Sequence, residues 1–322
     1  MFTSITQDGY QIIIPTSFHG YSIVDYLGFG STSIVVLVYK DLKQYSAKIM
    51  SKKDLKNRRL SKSIEQEIKI LKELDHPNII QIVETFDIQT ANDEFYVIIM
   101  EYCSNGDLLT YVTNHGFKND HQQKKIIYDF LQGIKYLHNK GISHGDIKSD
   151  NILLDENFNA KLCDFGFCRT NQYEGEGTKK GTLYYTAPEL FNKGVYDTQK
   201  ADIWSIGITL YSIVELQYPF HDGKKDFIIN QITNGLLLID PNLDQNIRKI
   251  IVKCTQMRAS CRPSIEEILN SAYFNEITKR HRVGALSIIK NKYYTSPKNN
   301  NESITKTESQ PKNSEWKAKC FF

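Results

Sequence analysis

His144-Gly145-Asp146-Ile147-Lys148-Ser149-Asp150-Asn151, followed by Asp164-Phe165-Gly166, is the stretch on which the fold reading turns. It sets a carboxylate (Asp146), an ammonium (Lys148), an amide oxygen (Asn151) and a second carboxylate (Asp164) at short, fixed intervals. Transfer of a phosphoryl group calls for that inventory: a base beside the acceptor hydroxyl, a cation on the phosphate, and two oxygen ligands for a magnesium ion. Positioning and charge neutralisation then supply most of the catalysis. Each fragment also has a plainer reading, Asp-Phe-Gly as a turn and Asp-x-Lys-x-x-Asn as a solvated loop. Their order and separation favour the chemical reading, which requires further pieces on both sides.

Upstream, Leu27-Gly28-Phe29-Gly30-Ser31-Thr32-Ser33-Ile34-Val35 joins two segments that read as strands. Tyr21 to Leu27 alternates apolar and polar residues, and Ile34 to Tyr39 is β-branched and apolar. Glycines there let backbone amides approach phosphate oxygens without a Cβ clash. A dinucleotide-binding loop would run into a helix and carry a third glycine; here a strand follows and Ser33 holds that position. A glycine hairpin and a phosphate cover both remain open on the loop alone. Lys48 follows in Tyr45-Ser46-Ala47-Lys48-Ile49-Met50, a third strand, where a surface lysine is the ordinary alternative. A helix is predicted from about Lys62 to Leu74, with Ile64, Ile68, Leu71 and Leu74 on one face and Glu67 at its edge, where it can meet Lys48. Asp75-His76-Pro77-Asn78 stops it.

With these residues in order, the chain resembles the eukaryotic-type protein kinases of the serine/threonine type, and loosely the calcium/calmodulin-dependent group. The resemblance covers roughly Tyr21 to Phe274. It implies an α+β, two-lobed protein kinase fold: a small antiparallel β lobe with one helix (21–100), a hinge (101–106) and a larger, mainly helical lobe (107–274). Residues 1–20 are expected as a short lead-in and 275–322 as a basic tail whose Asn, Ser, Thr and Lys content favours disorder.

The same resemblance implies ATP and Mg2+. Leu27, Gly28, Phe29, Gly30, Ser31, Thr32, Ser33 and Val35 would form the flap over the nucleotide. Lys48 would hold the α- and β-phosphates, with Glu67 as its partner. Met100 would be the gatekeeper, Glu101 to Cys103 the adenine-binding hinge, and Leu153 the floor of the adenine pocket. Asp146 would take or orient the substrate hydroxyl proton, Lys148 would neutralise the moving phosphoryl group, and Asn151 and Asp164 would ligate magnesium.

Further on, Gly181-Thr182-Leu183-Tyr184-Tyr185-Thr186-Ala187-Pro188-Glu189 is similar to the segment that docks protein substrates, with Glu189 expected to pair with Arg262. Asp202-Ile203-Trp204-Ser205-Ile206-Gly207 is read as opening a helix to about Leu216, apolar on nearly all faces and so central to a large lobe. Another helix is predicted over Gln122 to His138. Ser264 with Glu267 fits a capping box. Leu71, Ile82, Phe165 and His144 would stack as a regulatory spine. Lys148 and Thr182 both match kinases that phosphorylate serine and threonine. Asp107 and Asp150 fall where basic-directed relatives place acids, so protein substrates with a basic residue upstream of the target are expected.

Gly145 departs from the family pattern, which often has an arginine that pairs with activation-loop phosphate. Its absence implies weak dependence on phosphorylation at Thr178 or a neighbour, unless Lys179 or Arg169 does the pairing. Ser46 replaces an alanine that lines the adenine pocket, with at most an effect on affinity. A pseudokinase scaffold that binds nucleotide without catalysis is the competing function; the presence of Lys48, Asp146 and Asp164 argues against it, since such charges are costly to keep uncompensated in a cleft. The Thr182 segment and the Glu189–Arg262 pair favour protein over small-molecule substrates.

Composition agrees. The 322 residues are 24% charged and 11% aromatic, with a net charge of only +3. From Arg280 onward nine Lys/Arg face three Asp/Glu, but no dense basic stripe marks the body as a nucleic-acid binder. The six cysteines lack paired C-x-x-C spacing, which disfavours zinc and a disulfide framework. With no secretory signal and no span of membrane length, a soluble cytoplasmic or nuclear protein is expected. Lys279-Arg280-His281-Arg282 with Val283, Leu286 and Ile289 is basic and weakly amphipathic, a pattern that calmodulin-like partners grip, with a solvated linker as the alternative.

Overall fold

The computed structural model describes residues 2–7, 10–29, 33–57, 61–91, 93–170, 173–175, 182–192, 194–279 and 320–321. The amino-terminal segment is more than a lead-in. β1 (Phe2–Gln7) and β2 (Tyr10–Pro15) pair as an antiparallel hairpin, and β3 (Ser17–Phe18) joins the edge of β4 (Tyr21–Phe29). The β-branched run Ile12-Ile13-Ile14 favours a strand, and Ile14 and Phe18 are buried in the small-lobe core.

β4 leads to β5 (Ser33–Lys40), β6 (Lys43–Ser51), α1 (Lys52–Asn57), α2 (Ser61–Glu73), β7 (Ile82–Gln89) and β8 (Glu94–Glu101). The strands lie in the antiparallel order β4-β5-β6-β8-β7, and Cys320–Phe321 adds a short parallel pairing to β4. Strand alternation divides the labour. Ile34, Val36 and Val38 of β5, Ala47 and Ile49 of β6, and Val97 and Ile99 of β8 enter one core with Tyr21. Their neighbours Val35, Leu37, Ser46, Lys48, Ile98 and Met100 face the other way and line the cleft. Both faces are covered, so β5 reads as a near-continuous apolar run. α2 packs Ile68 against Met50, Leu55 and Ile98, which sets Glu67 towards the sheet.

The second lobe holds α3 (Leu108–His115), α4 (Asp120–Asn139), β9 (Ile142–Ser143), β10 (Ile152–Leu154), β11 (Ala160–Leu162), β12 (Arg169–Thr170), β13 (Tyr173–Gly175), β14 (Gly194–Tyr196), α5 (Thr198–Glu215), α6 (Lys225–Thr233), α7 (Gln245–Cys254) and α8 (Ile265–Leu269). α5 is buried on nearly every side. It begins earlier than the sequence reading has it: Asp197 caps it by accepting from the amides of Gln199 and Lys200. Asp202 therefore lies one turn inside the helix, which frees its carboxylate for other work. A Cβ on Gly207 would lie 2.7 Å from Thr255 Cγ2 and 2.9 Å from Cys254 Cβ, so glycine lets α7 approach α5 closely. α8 carries the complete Ser264–Glu267 capping box. No helix among the described residues is long and apolar enough to cross a membrane. The basic stretch from Arg280, with its calmodulin-like reading, lies outside the described residues.

Candidate active site

Between the lobes lies a cleft of about 480 Å3. Leu27, Val35, Met100, Cys103 and Leu153 form much of its wall, and Lys48, Glu67 and Asp164 its polar end. Of the other residues expected to cover a nucleotide, Gly28 and Phe29 end β4 and Ser33 starts β5; Gly30, Ser31 and Thr32 lie outside the described residues. Lys48 donates to Glu67 Oε1 at 3.0 Å. Burial pulls the Lys48 pKa down, but the Glu67 and Asp164 carboxylates outweigh it and the net direction is upward. The ammonium stays charged.

The second group belongs to the loop between β9 and β10. Lys148 Nζ lies 3.0 Å from Asp146 Oδ2 and donates to Thr182 Oγ1 at 3.1 Å. Asn151 Nδ2 donates to the Asp146 backbone oxygen at 2.8 Å and to Asp146 Oδ2 at 3.0 Å. Asn151 Oδ1 is buried and has no hydrogen-bond partner. A buried acceptor without a donor calls for a ligand. Asp164, left-handed at φ +59°, brings its carboxylate to the same cleft. Burial lowers the Lys148 pKa, the Asp146, Asp150 and Asp164 carboxylates together outweigh it, and the net direction is upward.

Three further residues, not singled out for such roles in the sequence, hold this loop. Asp202 Oδ2 accepts from the His144 amide at 2.8 Å and Oδ1 from the Gly145 amide at 2.9 Å, while His138 Nε2 lies 2.9 Å from Oδ2. His144 Nδ1 accepts from the Asp146 amide, so its proton sits on Nε2, facing the Cys163 carbonyl at 3.1 Å. Cys163 also lines the cleft. A carboxylate set into the buried stretch of α5 was the signal that could have marked Asp202, because a buried charge needs partners. The expected spine forms in part as a direct contact, with the His144 and Phe165 rings 5.2 Å apart, and Leu71 and Ile82 join the same core.

Gly145 has φ +79°, and a Cβ there would meet the Phe167 carbonyl oxygen at 2.5 Å. Ser46 donates to the Glu101 carbonyl at 3.0 Å, while the Glu101 carboxylate pairs with Lys161 at 2.8 Å. Glu189 and Arg262 pair as expected, in a bidentate bridge at 2.6 and 2.7 Å, with the arginine buried over Trp204. Asp107 is not solvated: only 4% exposed, it caps α3 through Oδ1, and Oδ2 is buried without a partner. Burial pushes the Asp150 carboxyl up, assisted by Asp107 and Asp146 and opposed by its own backbone and Lys148.

The fold and this arrangement define the class, and the family model for the protein kinase domain matches residues 21–274. The chain belongs to the protein kinase family. It is 30% identical over 298 residues to the serine/threonine-protein kinase cds1 of Schizosaccharomyces pombe, covering 86% of this chain and 63% of that protein. It is 35% identical over 260 residues to the serine/threonine-protein kinase CLA4 of Candida albicans, covering 79% and 26%. It is 29% identical over 258 residues to the serine/threonine protein kinase OSK3 of Oryza sativa subsp. indica, covering 79% and 50%. The chain thus spans less than two thirds of the length of these relatives.

Proposed function

We propose that this chain is a serine/threonine protein kinase that transfers the γ-phosphoryl group of ATP to hydroxyls of protein substrates. The observation that carries the reading is the hydrogen-bonded unit of Asp146, Lys148, Asn151 and Thr182 beside the cleft that ends in Lys48, Glu67 and Asp164. The apolar wall that Leu27, Val35 and Leu153 give the cleft suits a purine ring. Lys48, held by Glu67, places a fixed positive charge where phosphates would enter.

Magnesium fits the residues present. Asn151 Oδ1 lacks a donor and Asp164 offers a carboxylate, while no cluster of three His, Cys, Asp or Glu among the described residues forms a cage of its own. Such a sparse set matches an ion that takes its remaining ligands from phosphate and water. When bound, the ion neutralises phosphate charge. The chain's own residues do the rest. Asp146 has Oδ2 engaged by Asn151 and Lys148, which leaves Oδ1 to receive the proton of the attacking hydroxyl. Lys148 remains protonated and offsets charge on the moving group. Thr182, bonded to Lys148, ties that cation to the docking segment.

Two finer readings belong to the same proposal. Asp107 Oδ2 and the half-buried Asp150 form an acidic site for a basic residue upstream of the acceptor, because a buried carboxylate oxygen with no donor is a strong acceptor for a guanidinium. Gly145 supports activity that depends little on activation-loop phosphate, since its backbone geometry and the Phe167 carbonyl leave no room for an arginine.

Incubation of the purified chain with γ-labelled ATP, magnesium and a generic basic protein tests the proposal. Label on serine or threonine of the protein is expected. Nucleotide binding without transfer would instead make the chain a scaffold, and transfer to tyrosine alone would overturn the substrate class.

A further inference from the structure

A second cavity, of about 270 Å3, opens on the large lobe between α7 and the chain that follows α8. Asn246, Lys249, Ile250 and Lys253 share one face of α7 at helical spacing and form one wall. Ser271 and Tyr273 form part of the other. Lys249 and Lys253 are exposed, and neither has a carboxylate within ion-pair distance among the described residues.

One carboxylate, Glu267, also lines the cavity, and it is held through Oε2 by Ser264. Glu267 Oε2 accepts from the Ser264 amide at 2.7 Å and its hydroxyl at 2.9 Å, and these bonds, helped by the charges of Lys200 and Lys253, hold the Glu267 carboxyl below its ordinary range. Asp244 caps α7 through the amides of Asn246 and Ile247. The donors, by contrast, are unspent. Ser271 Oγ is buried without a partner. The Tyr273 hydroxyl accepts from Gln123 Nε2 at 2.9 Å, which leaves its own hydrogen to give. Burial pushes that phenol up to about 12, so it stays protonated.

We propose that this cavity binds a phosphate monoester, presented as a phosphorylated serine or threonine side chain. Two ammonium groups match the charge of roughly −1.5 to −2 that such a group carries, where a carboxylate would satisfy only one. Its three terminal oxygens match the ammonium, hydroxyl and phenol donors. A buried hydroxyl with no partner is explained once an acceptor enters. The cavity is several times the roughly 30 Å3 share of one water, with room for the attached side chain. Two sources supply this chemistry. One is the chain itself, which carries eight Ser/Thr residues over 280–322; the other is a separate phosphoprotein. The site stands without the catalytic reading, because the phosphorylated probe is supplied ready-made.

Fluorescence anisotropy of the full chain with labelled peptides decides it. The probes are residues 299–311 with Thr305 phosphorylated, the same peptide unphosphorylated, and an unrelated phosphoserine peptide. The phosphorylated tail peptide is expected to bind at least tenfold more tightly than its plain form. Lys249→Ala with Lys253→Ala should weaken it at least tenfold and Ser271→Ala severalfold, with melting temperature as the control for folding. Equal binding of the unrelated phosphopeptide assigns the site to phosphoproteins in general, and weaker binding assigns it to the tail. Indifference to phosphorylation, or to loss of both lysines, would overturn the proposal. Competition by inorganic phosphate at the same affinity as the phosphopeptide would assign the site to the free anion and overturn the side-chain assignment.

Discussion

The Lys48 ammonium on β6 donates to Glu67 Oε1 on α2 at 3.0 Å, and both side chains are largely withdrawn from water. This contact ties α2 to the sheet at the polar end of the cleft. Breaking one side of a buried pair strands the other charge and costs about 3–5 kcal/mol, whereas an apolar replacement of both is often neutral. Lys48→Met and Glu67→Leu should each lower stability in urea unfolding. The double variant should regain most of that stability, yet remain at least about 100-fold slower in phosphoryl transfer, because the fixed cation is gone.

Gly145 is held at φ +79° with its amide on Asp202 and the Phe167 carbonyl where a Cβ would go. Gly145→Ala should cost about 1–3 kcal/mol, and Gly145→Arg should lower activity rather than install a phosphate switch. Thr178→Ala in the purified enzyme should keep most of its turnover. Abolished turnover in that variant would overturn the reading of weak phosphate dependence.

Asp107 and Asp150 make the basic-substrate reading measurable. Asparagine caps a helix about as well as aspartate, so Asp107→Asn keeps the cap on α3 and removes only the charge. Together with Asp150→Asn it should raise KM about tenfold for a peptide with arginine upstream of the acceptor and leave an arginine-free peptide unchanged.

The raised pKa of Asp150 adds a pH signature. A carboxyl that holds its proton more tightly folded than unfolded adds stability at pH below its unfolded value, and loses it as pH rises through the folded value. At neutral pH Asp150→Asn should therefore not lower the melting temperature, although it weakens substrate. The arginine preference of the parent should fade as pH falls through the same raised value.

Much of this fold was legible because its signals are local. Alternating apolar and polar residues marked β4, a β-branched apolar run marked β5, and the 3.6-residue spacing of Ile126, Phe130 and Ile134 marked α4. The amino-terminal hairpin and the true start of α5 at Asp197 were not read. The first rests on strand pairing, which composition hides, and the second on a cap five residues before Asp202. The Lys48–Glu67 pair came from the placement of Glu67 on its helix face and the Glu189–Arg262 pair from the family resemblance, and each pair meets in space as expected. Asp202 as the anchor of the Asp146 loop did not, because its bonds go to backbone amides that leave no mark in side-chain identity.

Ser46 donates to the Glu101 carbonyl on the strand that leads into the hinge. That bond occupies the carbonyl of the residue between Met100 and Tyr102, both of which line the cleft. Ser46→Ala should free it and lower KM for ATP severalfold, in keeping with roughly 1 kcal/mol for one neutral hydrogen bond. An unchanged or higher KM would show that the hydroxyl does not compete with the base.

The central claim is that Asp146 takes the proton of the attacking hydroxyl while Lys148, Asn151 and Thr182 hold it in place. The most direct measurement is the rate of phosphoryl transfer from ATP to a serine peptide by Asp146→Asn, alongside the rise in melting temperature on adding magnesium and ATP. The account predicts a fall in kcat of about 100-fold or more with that rise retained, since a positioned base contributes roughly 10²–10⁴-fold. Undiminished turnover by Asp146→Asn would contradict it.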